Sequence, residues 1–297
     1  MSDRAFGAYH PTVNFLYFGL VILFGMFFLN PICLIIAFVC SFIYSVVLNG
    51  KKALRFNLLY MLPMMILLAV LNPLFNHQGV TILRYFANGN PLTLESIVYG
   101  IVTAVMVVTI ICWFSCYNAV MSSDKFIYIF GRIIPALSLV FSMALRFVPK
   151  FKEQMQVISY AQKCIGRDIS NGNIWERIRH GLRIVSIMVT WALENSIDTA
   201  DSMKSRGYGL RGRTAFSLFR FEQRDRFALT ALILCGGYIL IGAAIGSLDF
   251  RYFPSIQPLI FNVFEMSLFV AYALLCALPL IITLQEDRKW KHIQSKT

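Results

Sequence analysis

Charge is scarce in this 297-residue chain, and negative charge scarcer still: Asp and Glu number 15 against 27 Lys and Arg, together 14% of the residues, while 58% are hydrophobic. Soluble domains devote about a quarter of their residues to charge, so this composition excludes an ordinary soluble domain and points to a membrane protein. Other absences narrow the chemistry. Nowhere does G-x-x-x-x-G-K-[ST] occur, so the chain does not by that route hold the phosphates of ATP, and an ATP-driven role needs a separate subunit. No Cys-x-x-Cys occurs among the seven cysteines, six of which fall in apolar runs and one, Cys164, outside them, so neither a disulfide nor a metal pattern is present. Cys112 and Cys116 share a helix face, as small packing residues do. H-E-x-x-H and G-x-S-x-G are missing and His10, His77, His180 and His292 are scattered, which argues against a membrane-embedded enzyme. No catalytic residue, cofactor, metal or nucleic-acid partner is called for, and no cleavable signal peptide is evident.

What is present is a series of apolar runs. A bare backbone in hydrocarbon has no water to satisfy it, so a span takes about 20 apolar residues in a helix. Residues 13–29 and 32–48 are uncharged and separated by Asn30-Pro31, which suits a tight turn. Residues 56–71 are broken only by Pro63, and 97–117, 227–248 and 259–284 complete six predicted spans. Residues 126–147 are apolar but interrupted by Arg132, Pro135 and Arg146; they read as a helix at the cytoplasmic boundary. Ionisable groups inside hydrocarbon are functional candidates because their burial is costly. Glu265 lies within a predicted span and Glu95 at the outer start of another, too few to suggest a proton pathway.

Orientation follows from the basic residues of the loops. With both ends inside, 25 Lys and Arg are cytoplasmic, 17 of them between Asp124 and Arg226, and only Arg84 and Arg251 lie outside. The reading is an all-α membrane protein of about six transmembrane helices plus long cytoplasmic amphipathic helices, divided into N-terminal spans at 1–120, a basic platform at 121–226, and C-terminal spans with a basic tail at 227–297.

Within the platform the pattern changes at Lys150 from continuous hydrophobicity to helical periodicity. Phe151, Met155, Ile158 and Ile165 recur on one face, while Lys152, Glu153, Gln156, Ser159 and Lys163 take others. Residues 167–173 read as a turn, and a second helix is predicted over about 174–204, with Leu182, Val185, Met188, Val189 and Ala192 on one side. Glu194, Asp198 and Asp201 form an acidic stripe at i, i+4 and i+7, running toward Lys204, Arg206, Arg211 and Arg213. It is either a solvated face or a support that holds the arginines in a fixed pose. Gly207-Tyr208-Gly209-Leu210-Arg211-Gly212 matches G-x-G-x-x-G, but these glycines end a helix rather than open one after a strand, so they indicate a C-terminal cap and not a dinucleotide site. Met143, Met155, Met188 and Met203 offer adaptable contact area, or pack within the protein.

The run from Ala192 through Ser205-Arg206-Gly207-Tyr208-Gly209, followed by Arg213-Thr214, resembles the second coupling segment of the transmembrane T component of energy-coupling factor (ECF) transporters. His10-Pro11, Asn72-Pro73-Leu74-Phe75, Asp124-Lys125 and Leu145-Arg146-Phe147-Val148-Pro149 extend the resemblance over nearly the whole length. It implies a scaffold in a prokaryotic plasma membrane that couples two ABC-type ATPase subunits to a separate substrate-binding S component for uptake of a vitamin or metal ion. It further implies two cytoplasmic helices, each ending in a short arginine motif that docks on one ATPase. Carried over by position, Arg206 is the second coupling arginine, flanked by Ser205 and Gly207. The first motif departs: Cys164-Ile165-Gly166 has isoleucine where arginine is expected, with Lys163 and Arg167 just outside. Either a neighbour supplies the charge or the two ATPases are engaged unequally. The competing reading is a stand-alone ion-coupled secondary transporter.

Overall fold

The computed structural model describes residues 6–85, 89–133, 135–167, 172–208, 219–258 and 262–294, with the main chain alone at 131–133, 135–139, 287 and 289–294. The chain divides into two compact units, one of Met1–Phe126 with Phe219–Thr297 and one of Ile127–Leu218.

The first unit begins with two helices started the same way. His10 and Asn30 each accept a hydrogen bond from the amide two residues on, and each is followed by proline, whose missing N–H costs nothing at the first helical position. These caps open α1 (Pro11–Phe27) and α2 (Pro31–Asn49). Next, α3 (Lys51–Phe56) passes through a π-helical turn at Asn57–Met61 into α4 (Leu62–Phe75). Pro63 follows that turn; its missing N–H leaves a carbonyl one turn back unbonded, and the wider π turn absorbs the break. A short antiparallel hairpin, β1 (Ile82–Tyr85) with β2 (Pro91–Thr93), precedes α5 (Leu94–Val120). No period-2 alternation marks it in the sequence. Glu95, 1% exposed, fastens the hairpin by accepting from the amide and hydroxyl of Thr81 at 3.2 and 2.7 Å.

Beyond α5 come α6 (Ser123–Ile133), α7 (Pro135–Cys164), α8 (Ile174–Ser205), α9 (Gln223–Ala244) and α10 (Val263–Gln294). In the first unit α5 packs against α1, α2 and α4, α2 reaches α10, α10 meets α9, and α9 returns to α1. An aromatic cluster of Tyr17, Phe18, Tyr44 and Trp113 lies buried in this ring. At the α4–α5 crossing a Cβ on Gly100 would meet the Ala69 carbonyl oxygen at 2.7 Å, so only glycine permits that approach. Pro31–Asn49, Lys51–Phe75, Leu94–Val120, Gln223–Ala244 and Val263–Glu286 are long and apolar enough to cross a membrane, and α1, also apolar, has 17 residues, the lower end of the spanning range. Glu265 lies within the candidate span Val263–Glu286, as expected, and in the first turn of α10, where an anion faces the positive helix end.

The second unit is a pair of antiparallel helices. Phe151 meets Trp191 edge-on at 5.5 Å, Lys150 donates to Asn195 Oδ1 at 2.7 Å and lies over the Trp191 ring, and Ile158 and Ile184 are buried. Two sequence expectations change here. The helix predicted over 126–147 does not stop there, because α7 continues through Pro149 to Cys164. Nor do the predicted apolar faces each form one packing surface. On α7, Phe151 and Ile158 face inward but Met155 and Ile165 are exposed; on α8, Met188 and Ala192 are half-buried while Leu182, Val185 and Val189 are exposed. Each helix carries two apolar faces, and only one is covered by its neighbour.

Candidate functional site

Both helices of the second unit end in the same backbone device. On α7, Gly166 takes φ +79°, its amide donates to the Lys163 carbonyl at 3.0 Å, and the Arg167 amide reaches back to Gln162 at 2.9 Å. On α8, Gly207 takes φ +74°, its amide donates to Lys204 at 2.9 Å, and the Tyr208 amide reaches Met203 at 3.0 Å. These paired bonds, one spanning three residues and one spanning five, define a Schellman cap, which needs a left-handed residue and so selects glycine. Ile165 and Arg206 therefore hold the same position, the last before the left-handed glycine, and both are exposed. Cys164 and Ser205 precede them equivalently and are also exposed, the latter returning its hydroxyl to the Ser202 carbonyl at 2.9 Å.

The two tips differ in chemistry, not in backbone. An arginine at this position offers a planar, permanently charged fork of donors; isoleucine offers only apolar area. Because the helices are antiparallel, the tips lie at opposite ends of the pair, and α8, 32 residues long, spans roughly 48 Å at 1.5 Å per residue.

The acidic stripe is fully in solvent: Glu194, Asp198 and Asp201 are all exposed. Asp201 lies 4.0 Å from Lys204, with both side chains more than 70% exposed, a pair worth roughly 0.5 kcal/mol or less. The arginines at 211 and 213 that the stripe was expected to serve lie outside the described residues. Behind the second tip, Met143, Phe147 and Phe151 of α7 and Ala192, Thr199, Met203 and Tyr208 line an apolar groove of about 420 Å³. Of the four methionines singled out by sequence, Met143 and Met203 line this groove, Met188 is half-buried and Met155 is exposed.

Two ionisable residues in the first unit are buried where the sequence gives no sign of it, Lys125 having entered only through the family resemblance and Asp225 not at all. Lys125, 6% exposed, donates to the carbonyls of Gly7 at 2.6 Å and Val120 at 3.0 Å. Asp225, 2% exposed, accepts from the amides of His10 at 3.1 Å and Glu222 at 3.0 Å. The capping box at the start of α9 was the one available signal for Asp225.

These features together define a multi-pass helical membrane protein that carries a pair of long, amphipathic helices with matched exposed tips. Residues 8–216 match the cobalt transport protein family (CbiQ), and the chain belongs to that family. Among its relatives, the energy-coupling factor transporter transmembrane protein EcfT of Lactobacillus helveticus is 34% identical over 114 residues, 38% of this chain and 41% of the relative. EcfT of Staphylococcus aureus is 34% identical over 98 residues, 33% of this chain and 37% of the relative. A Mycoplasma pneumoniae protein named as an uncharacterized MG181 homolog is 31% identical over 173 residues, 54% of this chain and 39% of its own length. The alignments thus span about two fifths of each relative. They carry the resemblance to ECF transmembrane components.

Proposed function

We propose that the chain is the transmembrane coupling subunit of an ECF-type importer in a prokaryotic plasma membrane, with both termini cytoplasmic. It transmits ATP hydrolysis by two separate ABC-type ATPase subunits to a substrate-binding S component that takes up a vitamin or metal ion. The relatives named as ECF transporter transmembrane proteins support this class. The observation that carries the coupling role is the repeated cap: two exposed tips of the same backbone form, at opposite ends of an antiparallel helix pair, suit two ATPases that resemble one another. The platform over 121–226 provides the tips, and the spans on either side, 1–120 and 227–297, anchor it.

In this reading Arg206, with Ser205 and Gly207 beside it, inserts into a carboxylate-lined groove on one ATPase. The first tip, Lys163-Cys164-Ile165-Gly166, engages the other mainly through apolar contact, so the two ATPases are held unequally. Glu194, Asp198 and Asp201 support the second tip by keeping its basic surroundings oriented. The decisive experiment is Arg206→Ala in the assembled transporter: ATP-dependent uptake is lost while the protein stays in the membrane. Normal uptake by that variant overturns the role of the tip.

A further inference from the structure

The second unit is connected to the first through two strands of chain, one leaving at Phe126 and one returning at Phe219. The first-unit residues beside these two connections share an unusual partner. A single short stretch, residues 6–10, is held by groups from both.

On the outgoing side, Lys125 is the third residue of α6 and is buried. Its ammonium joins the Gly7 carbonyl to the carbonyl of Val120, the last residue of α5. A cation is favoured there because the terminal carbonyls of a helix have no partners within it. On the returning side, the Asp225 carboxylate divides its oxygens between the His10 amide and the Glu222 amide, so one side chain both caps α9 and fixes residue 10. Arg224 donates to the Ala8 carbonyl at 3.2 Å and lies over the Tyr9 ring at 5.2 Å, with Glu222 3.0 Å away. Phe221 meets the His10 ring edge-on at 4.8 Å. Inward, Phe6 is 1% exposed and packs edge-on against Tyr17 at 5.0 Å, and Asn14 donates to the Tyr9 carbonyl at 3.4 Å.

The partners on residues 7, 8 and 10 are all backbone groups. Recognition therefore depends on the path of the main chain and not on its side chains. Burying a lysine and an aspartate at a membrane-protein boundary is costly unless their hydrogen bonds are met. Here they are met, and by the same segment.

We propose that residues 6–10 form a clasp that fixes both connections of the second unit to the same edge of the first, with Lys125 and Asp225 as positioning residues for coupling. Without the clasp, each connection is a separate swivel and movement of the coupling pair is absorbed there. With it, displacement of the pair loads α1, α5 and α9 together, since α1 starts at Pro11, α5 ends at Val120 and α9 starts at Gln223. The role in coupling rests on the function proposed above; the clasp itself does not.

The test has two arms. In the full chain in lipid nanodiscs, amide hydrogen exchange is followed for wild type, Lys125→Met, Lys125→Arg and Asp225→Asn. Lys125→Met raises exchange about ten-fold both in 120–126 and in 219–226, Asp225→Asn does the same in both, and Lys125→Arg restores most of the protection. Loosening confined to the substituted connection overturns the clasp. In the second arm the same variants are reconstituted with ATPases and S component, and hydrolysis and uptake are measured together. Lys125→Met and Asp225→Asn keep ATPase subunits bound and hydrolysing but lose at least ten-fold in solute moved per ATP. Undiminished uptake per ATP, or loss of bound ATPase in step with uptake, overturns the positioning role. If wild type retains no ATPase at all, the proposed function and the positioning role fall together, while the exchange arm still decides the clasp.

Discussion

Arg206 and Ile165 stand at the same point of two Schellman caps, so whatever distinguishes the tips resides in the side chain. The cap itself depends on Gly166 and Gly207, whose φ of +79° and +74° costs an ordinary residue about 1–2 kcal/mol. Gly207→Ala is therefore expected to unwind the last turn of α8 and lower retention of ATPase subunits on the tagged chain roughly ten-fold, the change that about 1.4 kcal/mol produces. Gly181→Ala is the control: Gly181 lies inside α8 with open space where a Cβ would go, and retention should be unchanged. Equal loss in both variants would mean that the left-handed cap is not what governs docking. The glycines were legible in the sequence because left-handed caps select them. The equivalence of Ile165 with Arg206 was legible only through family resemblance, and burial of Lys125 and Asp225 was not legible at all. Nothing in a basic residue near a helix start, or in an acidic one at a capping position, tells which carbonyls and amides of a distant segment will meet it.

Among the elements, α8 was the most readable part of the chain, and α7 less so. Asn173 and Glu176 form a capping box at the start of α8, and a left-handed glycine follows its end. The start of α7 was misread because Pro149 and a change of composition at Lys150 suggested one there, whereas α7 accepts that proline inside. Apolar periodicity also failed to say which face is covered. Residues 182, 185 and 189 repeat at helical spacing, yet they are exposed, and Ile184 between them is the buried one. Substitution separates the two faces. Ile184→Ala removes a residue 4% exposed at the α7–α8 contact and should cost about 2 kcal/mol or more, speeding amide exchange along both helices. Leu182→Ala, at 65% exposure, should leave exchange in the isolated chain close to wild type. A reversed order would place the packing face of α8 on the wrong side.

For the whole molecule, the membrane class was legible from composition and the spans from apolar runs, since hydrocarbon thickness constrains both. The hairpin of β1 and β2 was invisible because it is short and held by Glu95 and Thr81 rather than by an alternating pattern. The proposed orientation rests on charge: with both termini inside, 25 Lys and Arg would be cytoplasmic against Arg84 and Arg251 outside. The cysteines supply a direct check. Cys33, Cys112, Cys116 and Cys276 are buried, Cys40 and Cys235 are half-buried within apolar helices, and Cys164 alone among the seven is exposed, beside Ile165 at the first tip. A membrane-impermeant maleimide should therefore label wild-type protein in inside-out vesicles and spare it in intact cells. Gln257→Cys, exposed on the connection between α9 and α10, should give the opposite pattern on a Cys164→Ser background. Labelling of Cys164 from the cell exterior would invert the topology and remove the tips from the compartment that holds ATP. The same thiol also reports on docking, because an ATPase seated on the first tip covers it. Reagent applied to vesicles carrying the assembled transporter should then react with Cys164 more slowly than in vesicles carrying the chain alone, whereas equal rates would leave Ile165 with no partner to hold.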